Sequence, residues 1–130
     1  ASPRSTYIAG SIGYASMGIA GSMVNPDFFQ DYLGMRTEFV ESTEILRRID
    51  QKIYVREEFE KAMKWVKEKC IEGADLNKRP SDRKRKEWEW EIVVKMTLIS
   101  RDLLIGNPKL SEMGFGEEAK GRNAIAGGFQ

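Results

Sequence analysis

The chain has 130 residues and a mass of 14.8 kDa, which corresponds to one domain of ordinary size. Its residues are 41% hydrophobic and 32% charged, which excludes the low-hydrophobicity, high-charge signature of a disordered chain. The 21 lysines and arginines nearly balance the 20 aspartates and glutamates. The net charge of +1 is too small to predict a chain that binds polyanions through its overall positive charge. One cysteine excludes an internal disulfide and favours a reducing compartment. Without histidine, the chain alone cannot form a His-containing zinc site or a Ser-His-Asp triad.

Membrane and secretory signals are missing from the sequence pattern. The longest dense apolar run, Ile92–Ile105, is interrupted by charged residues and is shorter than the roughly 18 apolar residues that span a bilayer. No signal-peptide apolar region follows the first residues. We therefore expect a soluble, cytoplasmic protein with no membrane partner.

The first third of the chain predicts two short strands separated by a helix. Thr6–Ala9 is a β-prone run. Asn25 followed by Pro26 predicts a helix start, because the amide caps free N–H groups and proline suits the first helical position. Gly34 is the expected stop of this short helix. Arg36–Val40 then predicts the second strand.

Two amphipathic helices are predicted in the middle of the chain. Thr43 is the expected cap of the first, on which isoleucines recur every four residues. The second is expected to end at Gly73. Its apolar stripe includes Cys70, which is interpreted as a buried small residue rather than a nucleophile. The apolar positions of the two helices are Ile45, Ile49, Ile53, Phe59, Ala62, Met63, Val66 and Cys70.

A long helix is predicted to follow a polar loop. Ser81 or Asp82 is the expected cap, and the helix should reach about Ile105, where Gly106-Asn107-Pro108 stops it. Trp88 lies at a helical position for which core packing is the commoner use.

The order of these elements predicts the fold class. Two short strands, each followed by helices, indicate an α/β domain rather than a helical bundle. Two strands are too few for a complete open sheet. We expect a helix-rich α/β segment with an incomplete sheet, and we expect it to self-associate or to be marginally stable because a sheet edge and apolar helix faces stay uncovered.

Three groups of residues could carry chemistry. The glycine-rich segment 10–22 matches neither GxGxxG nor the P-loop pattern, so close backbone packing is favoured over phosphate binding. The basic stretch Lys78–Lys86, with Trp88 and Trp90 close by, could contact nucleic acid, although neighbouring acids offset its charge. Carboxylates could serve acid–base chemistry or bind a cation, but no spacing singles out a pair. These carboxylates are Glu38, Glu41, Glu44, Asp50, Glu117 and Glu118.

Several longer strings resemble the second domain of L-fucose isomerase. The resemblance covers residues 6–130, and residues 1–5 are interpreted as partly a remnant of cloning. One departure is Val55, where relatives commonly have Asp; as a helix N-cap, Asp would add about 1 kcal/mol of stability. The matching strings are Ser16–Ser22, Phe28-Phe29, Leu33-Gly34-Met35, Leu46–Tyr54, Arg101-Asp102, Gly106-Asn107 and Asn123–Gln130.

The resemblance implies a Rossmann-like three-layer domain within a larger aldose–ketose isomerase. The family acts on L-fucose and often D-arabinose, depends on manganese and is typically homohexameric. Its metal ligands, a Glu, an Asp and a His, come from a region that no position of this chain matches. We therefore expect no catalytic residue, no metal ligand and no cofactor in this segment, and no activity from the 130 residues alone.

Two positions match substrate-binding residues of the family. Gln130 corresponds to a glutamine that hydrogen-bonds the sugar, a role that suits an amide because it donates and accepts. Met17 corresponds to a methionine that lines the substrate pocket. Two alternatives stay open beside the isomerase: a nucleic-acid-binding module acting through Lys78–Lys86, and a non-catalytic assembly domain. The resemblance implies an aldose as the partner, and the balanced net charge argues against nucleic acid.

Overall fold

The computed structural model describes residues 7–12, 25–73 and 82–129. Along the chain, these residues form three strands and five helices. The elements are β1 (Tyr7–Ile12), α1 (Pro26–Leu33), β2 (Arg36–Val40), α2 (Ser42–Asp50), α3 (Arg56–Lys69), α4 (Arg83–Ile105), α5 (Pro108–Glu112) and β3 (Ala124–Phe129).

The strands form a parallel sheet in the order β2-β1-β3. The sequence predicted only β1 and β2, so the prediction missed the third strand, β3. The sequence Ala-Ile-Ala-Gly-Gly-Phe of β3 is poor in the β-branched residues that mark strands, so its conformation depends on pairing with β1. The Rossmann-like three-layer arrangement stays a prediction.

The short helix α1 follows the predicted signals. The Asn25 side chain accepts a hydrogen bond from the Asp27 N–H at 3.0 Å, and Pro26 occupies the first turn. The helix ends at Gly34, whose φ of 64° is left-handed and therefore favours glycine. Start and stop are both confirmed.

Helix α2 begins and ends earlier than its isoleucine spacing predicts. Glu41 rather than Thr43 is the N-cap residue, and it makes no side-chain capping bond. The helix ends at Asp50, and Ile53, which continues the four-residue spacing, follows in a turn. Ile45 and Ile53 are nevertheless both buried, but in two different apolar clusters.

The long helix α4 has the predicted bounds. The Asp82 carboxylate accepts a hydrogen bond from the Lys84 N–H, and the helix runs to Ile105 with Gly106 as its C-cap. Its first turns project away from the core, and Trp88 is 60% exposed, so the prediction of core packing for this tryptophan is wrong.

Two apolar clusters hold the described residues together. The larger joins β2, α2 and α4 through Val40, Ile45, Ile99 and Leu103. The smaller joins Ile53, Val55 and Leu110. Val55 is the N-cap residue of α3 and makes no side-chain capping bond, as predicted. Its side chain is 8% exposed, so apolar packing offsets the missing cap.

Helices α3 and α4 pack as a hairpin beside this core. Every residue of α3 is at least partly exposed. The helix ends at Lys69, before the predicted Gly73, and Cys70 is exposed, so its predicted burial is wrong. No helix within the described ranges is long and apolar enough to cross a membrane.

Candidate functional site: the carboxyl edge of the sheet

The three strands end at the same edge of the sheet. Ile12 at the end of β1 pairs with Val40 of β2 on one side and with Phe129 of β3 on the other. In open parallel sheets, ligands bind outside the carboxyl ends of the strands. This edge is therefore the candidate site.

The strand order indicates where along this edge a ligand would bind. The chain leaves β1 for β2 on one side and reaches β3 on the other side only after α2 to α5. The gap between β1 and β3 is therefore a topological switch point, where adjacent strands are connected in opposite directions. A crevice at this point would lie at the carboxyl ends of β1 and β3, which are Ile12 and Phe129.

Both predicted substrate-binding residues follow these strand ends in the sequence. Gln130 comes directly after Phe129, and Met17 lies in the segment after Ile12. Met17 and Gln130 themselves, and most of the glycine-rich segment, lie outside the described residues. Their expected roles stay predictions.

Four of the six predicted carboxylates form ion pairs, whereas Glu41 and Asp50 are exposed and form none with another described residue. Glu38 lies 3.1 Å from the Arg122 Nε, and Glu117 lies 2.9 Å from the Lys120 Nζ. Within residues 7–12, 25–73 and 82–129, no group of three or more acidic or cysteine side chains could hold a metal ion.

Two of the predicted carboxylates belong to one arginine network. Glu44 accepts hydrogen bonds from Arg47 and Arg48 at 2.7 to 2.9 Å. Arg47 also donates to Glu118 at 2.8 Å, and Arg48, only 4% exposed, reaches the Glu118 carbonyl oxygen. The network ties α2 to the segment after α5. Sequence analysis missed it because Arg47 and Glu118 are 71 positions apart.

The network makes the stability of the fold sensitive to acid. Hydrogen bonds from Arg47, helped by Arg48, lower the pKa of Glu44 from 4.5 to about 2. The folded state therefore binds this proton less readily than the unfolded state, and the stabilisation present above pH 4.5 is lost as the pH falls towards 2. We expect Glu44→Gln to remove about 2–3 kcal/mol of stability at neutral pH and almost none at pH 2, as measured by urea unfolding.

The matched control for this prediction is Glu112→Gln, which neutralises an exposed carboxylate on α5. Its free energy of unfolding should follow that of the unmodified chain at both pH values. Equal losses for Glu44→Gln at neutral and acid pH would contradict the prediction.

A second polar cluster lies where α4 ends and α5 begins. The Asp102 side chain is 1% exposed and accepts hydrogen bonds from Arg101 Nε at 2.8 Å and from Asn107 Nδ2 at 3.3 Å. Arg101 and Lys109 both donate to Glu58 of α3. Partial burial raises the pKa of Glu58, but these hydrogen bonds outweigh it, so the pKa lies below its usual value.

This cluster is connected to the amino end of β3 rather than to the carboxyl edge of the sheet. The Asn107 N–H donates to the Ala119 carbonyl, and the Arg122 N–H donates to the Leu103 and Leu104 carbonyls. Residues 119–122 lead into the amino end of β3. The sequence showed Arg101-Asp102 and Gly106-Asn107 as matching strings but gave no sign that they meet.

The described part of the basic stretch is largely neutralised. Arg83 and Lys86 both contact the Glu72 carboxylate, at 3.1 and 3.4 Å, and Arg85 lies 2.9 Å from Glu89. Trp90 Nε1 also donates to Glu72. These contacts do not support the nucleic-acid alternative, because the arginines that would meet phosphates already face carboxylates.

The comparisons with known proteins agree on one family. The model of the L-fucose isomerase second N-terminal domain matches residues 5–130. Three relatives named L-fucose isomerase are 62% identical over 120 residues (Vibrio vulnificus), 59% over 125 (Bacteroides thetaiotaomicron) and 57% over 122 (Streptococcus pneumoniae). Each alignment covers 92% of this chain and 21% of the relative, so the chain spans about a fifth of their length. The chain belongs to the L-fucose isomerase second N-terminal domain family.

Proposed function

We propose that the chain is the substrate-side segment of an aldose–ketose isomerase that interconverts L-fucose and L-fuculose, and also D-arabinose and D-ribulose. The carrying observation is the parallel pairing of β1 and β3, in which Ile12 lies beside Phe129. Met17 and Gln130 follow these two strand ends in the sequence. The names of the relatives supply the reaction class. Oligomeric assembly and a cytoplasmic location belong to the same proposal.

In this proposal the segment binds and orients the sugar. Isomerisation moves a proton from C2 to C1 through an ene-diol, while a hydroxyl proton passes to the oxygen at the other carbon. The Gln130 amide would donate to one sugar oxygen and accept from another hydroxyl, which fixes the position of the carbon chain. Met17 would cover an apolar part of the sugar.

The manganese implied by the family does not fit the described residues of this chain. No three acidic or cysteine side chains converge there, and the sequence has no histidine. When bound, manganese would polarise adjacent sugar oxygens. Its ligands would belong to the four-fifths of the relatives that this chain does not match.

The test is ketose formation from L-fucose and D-arabinose with Mn²⁺. We expect the 130-residue chain to be inactive and the longer protein that contains it to be active. In the longer protein, Gln130→Glu should lower kcat/KM by roughly 10–100-fold, because the carboxylate cannot donate to a sugar oxygen. Gln30→Glu, at an exposed position of α1, is the matched control and should leave kcat/KM unchanged.

Two results would overturn the proposal at different levels. A folded longer protein that converts neither sugar would contradict the isomerase function. An active protein in which Gln130→Glu behaves like Gln30→Glu would retain that function and contradict the role of Gln130.

A further inference from the structure

The strand β3 has little of its own that fixes its place beside β1. Five of its six residues are exposed, and two of these are glycines. Its pairing with β1 is irregular, because the register shifts once after Tyr7 and again before Ile12. Register is weakly specified in glycine-rich strands. The position of β3 along β1 therefore depends on how the strand is held at its ends.

Arg122 holds the amino end of β3 in two ways. Its backbone N–H donates to the carbonyl oxygens of Leu103 and Leu104, in the last turn of α4, at 3.2 and 3.0 Å. Its side chain forms an ion pair with Glu38, with 3.1 Å between the Arg122 Nε and the Glu38 Oε2. The two side chains are 31% and 40% exposed, so water screens this ion pair only in part.

The ion pair connects two strands that do not pair with each other. Glu38 belongs to β2 and Arg122 leads into β3, whereas β1 lies between these two strands in the sheet. In the parallel register, Glu38 is opposite Ala9 of β1. The contact therefore relates the start of β3 to a fixed position of the β1–β2 pair, which the irregular pairing of β3 with β1 does not do by itself.

We propose that Arg122 is a positioning residue for the carboxyl end of β3 and, through it, for Gln130. Phe129 ends β3 beside Ile12, and Gln130 follows directly in the sequence. A strand advances about 3.3 Å per residue, so a slip of one residue at the amino end displaces the residue after Phe129 by that distance. This role rests on the proposed function, in which the Gln130 amide binds the sugar.

The Arg122–Glu38 pair is too exposed to contribute much to the stability of the fold. The geometry of a binding site is far more demanding, since a displacement of about 1 Å can lower a rate about 100-fold. Loss of the ion pair should therefore affect the conversion of the sugar much more than the unfolding of the protein. This difference separates a positioning role from a purely structural one.

The test is a double-mutant cycle of Arg122 and Gln130 in the longer protein, with kcat/KM for L-fucose in the presence of Mn²⁺ as the readout. Arg122→Met should lower kcat/KM about tenfold, because an apolar side chain cannot pair with Glu38. In a Gln130→Ala background the same change should have little further effect, since the amide that Arg122 positions is gone. Arg122→Lys should keep most of the activity, because the contact uses one nitrogen and the lysine Nζ can reach Glu38.

The matched control is Arg56→Met, which breaks an exposed ion pair with Glu60 on α3 and should leave kcat/KM unchanged. The melting temperature of Arg122→Met should stay within a few degrees of that of the unmodified protein. An Arg122→Met protein with unchanged kcat/KM, or with equal losses in the presence and absence of the Gln130 amide, would overturn the positioning role of Arg122 alone. An active protein in which Gln130→Ala has no effect would overturn the role of Gln130 and that of Arg122 with it.

Discussion

Gly121→Ala should abolish stable folding, or cost at least about 3 kcal/mol of unfolding free energy. A Cβ atom at this position would lie 2.1 Å from the Gly106 nitrogen and 2.2 Å from the Ile105 carbonyl carbon. Both neighbours are backbone atoms, so no side-chain rotation can relieve the contact. The backbone around Gly121 must therefore move away from the end of α4, which breaks the hydrogen bonds that the Arg122 N–H makes there.

The measurement is thermal and urea unfolding followed by circular dichroism. Gly73→Ala is the matched control, because a Cβ there meets no atom within 4 Å. We expect the control to unfold like the unmodified chain. A Gly121→Ala chain that unfolds at the same urea concentration as Gly73→Ala would show that the two backbones do not approach as closely as described.

The local signals in the sequence predicted the helices better than the sheet. Asn25, Gly34 and Asp82 act within their own turns, and each marks a helix boundary that the structure confirms. The strand β3 contains two glycines and few β-branched residues, and it becomes a strand by pairing with β1 far away in sequence. Pairing of this kind leaves no periodic pattern in the strand itself.

Periodicity also misled where a helix ended early. Cys70 continues the apolar stripe of α3, but the helix ends at Lys69 and the thiol is exposed. Ile53 likewise follows the end of α2, yet it is buried by a turn that the spacing did not predict. A periodic pattern gives the face of a helix, whereas the boundary depends on capping and on tertiary packing.

The roles of Met17 and Gln130 at the candidate site stay predictions from the resemblance. The strings around Met17 and Gln130 pointed to the substrate side, and the alignment of β1 with β3 brings the preceding strand ends together. The polar clusters around Glu44 and Asp102 were missed, because Glu118 and Glu58 lie 71 and 43 positions away from the arginines that they bind. Only the fold makes these residues neighbours.

Asp102→Ala should cost about 3 kcal/mol of unfolding free energy, the loss expected when a buried carboxylate is removed and the donors that it accepts from lose their acceptor. The Asp102 carboxylate is 1% exposed and accepts hydrogen bonds from Arg101 and Asn107. Without it, the NH₂ group of Asn107, a residue that is 6% exposed, donates only to Glu58 at 3.3 Å, while the amide oxygen still accepts from the Lys109 N–H. The guanidinium of Arg101 keeps its ion pair with Glu58 but loses the second carboxylate that it donates to.

Two further variants separate charge from hydrogen bonding at Asp102. Asp102→Asn keeps the size and one acceptor oxygen but removes the charge. We therefore expect its free energy of unfolding to lie between those of the unmodified chain and Asp102→Ala. Asp50→Ala removes an exposed carboxylate at the end of α2 and should change the unfolding free energy by less than about 0.5 kcal/mol. Urea unfolding of the three variants measures the order. Equal losses for Asp102→Ala and Asp50→Ala would mean that the buried carboxylate contributes no more than a surface one. If Asp102→Ala loses the most, Asp102→Asn less and Asp50→Ala the least, the Asp102 carboxylate holds α3, α4 and α5 together next to the amino end of β3. It then helps to position β3, whose carboxyl end faces the proposed substrate.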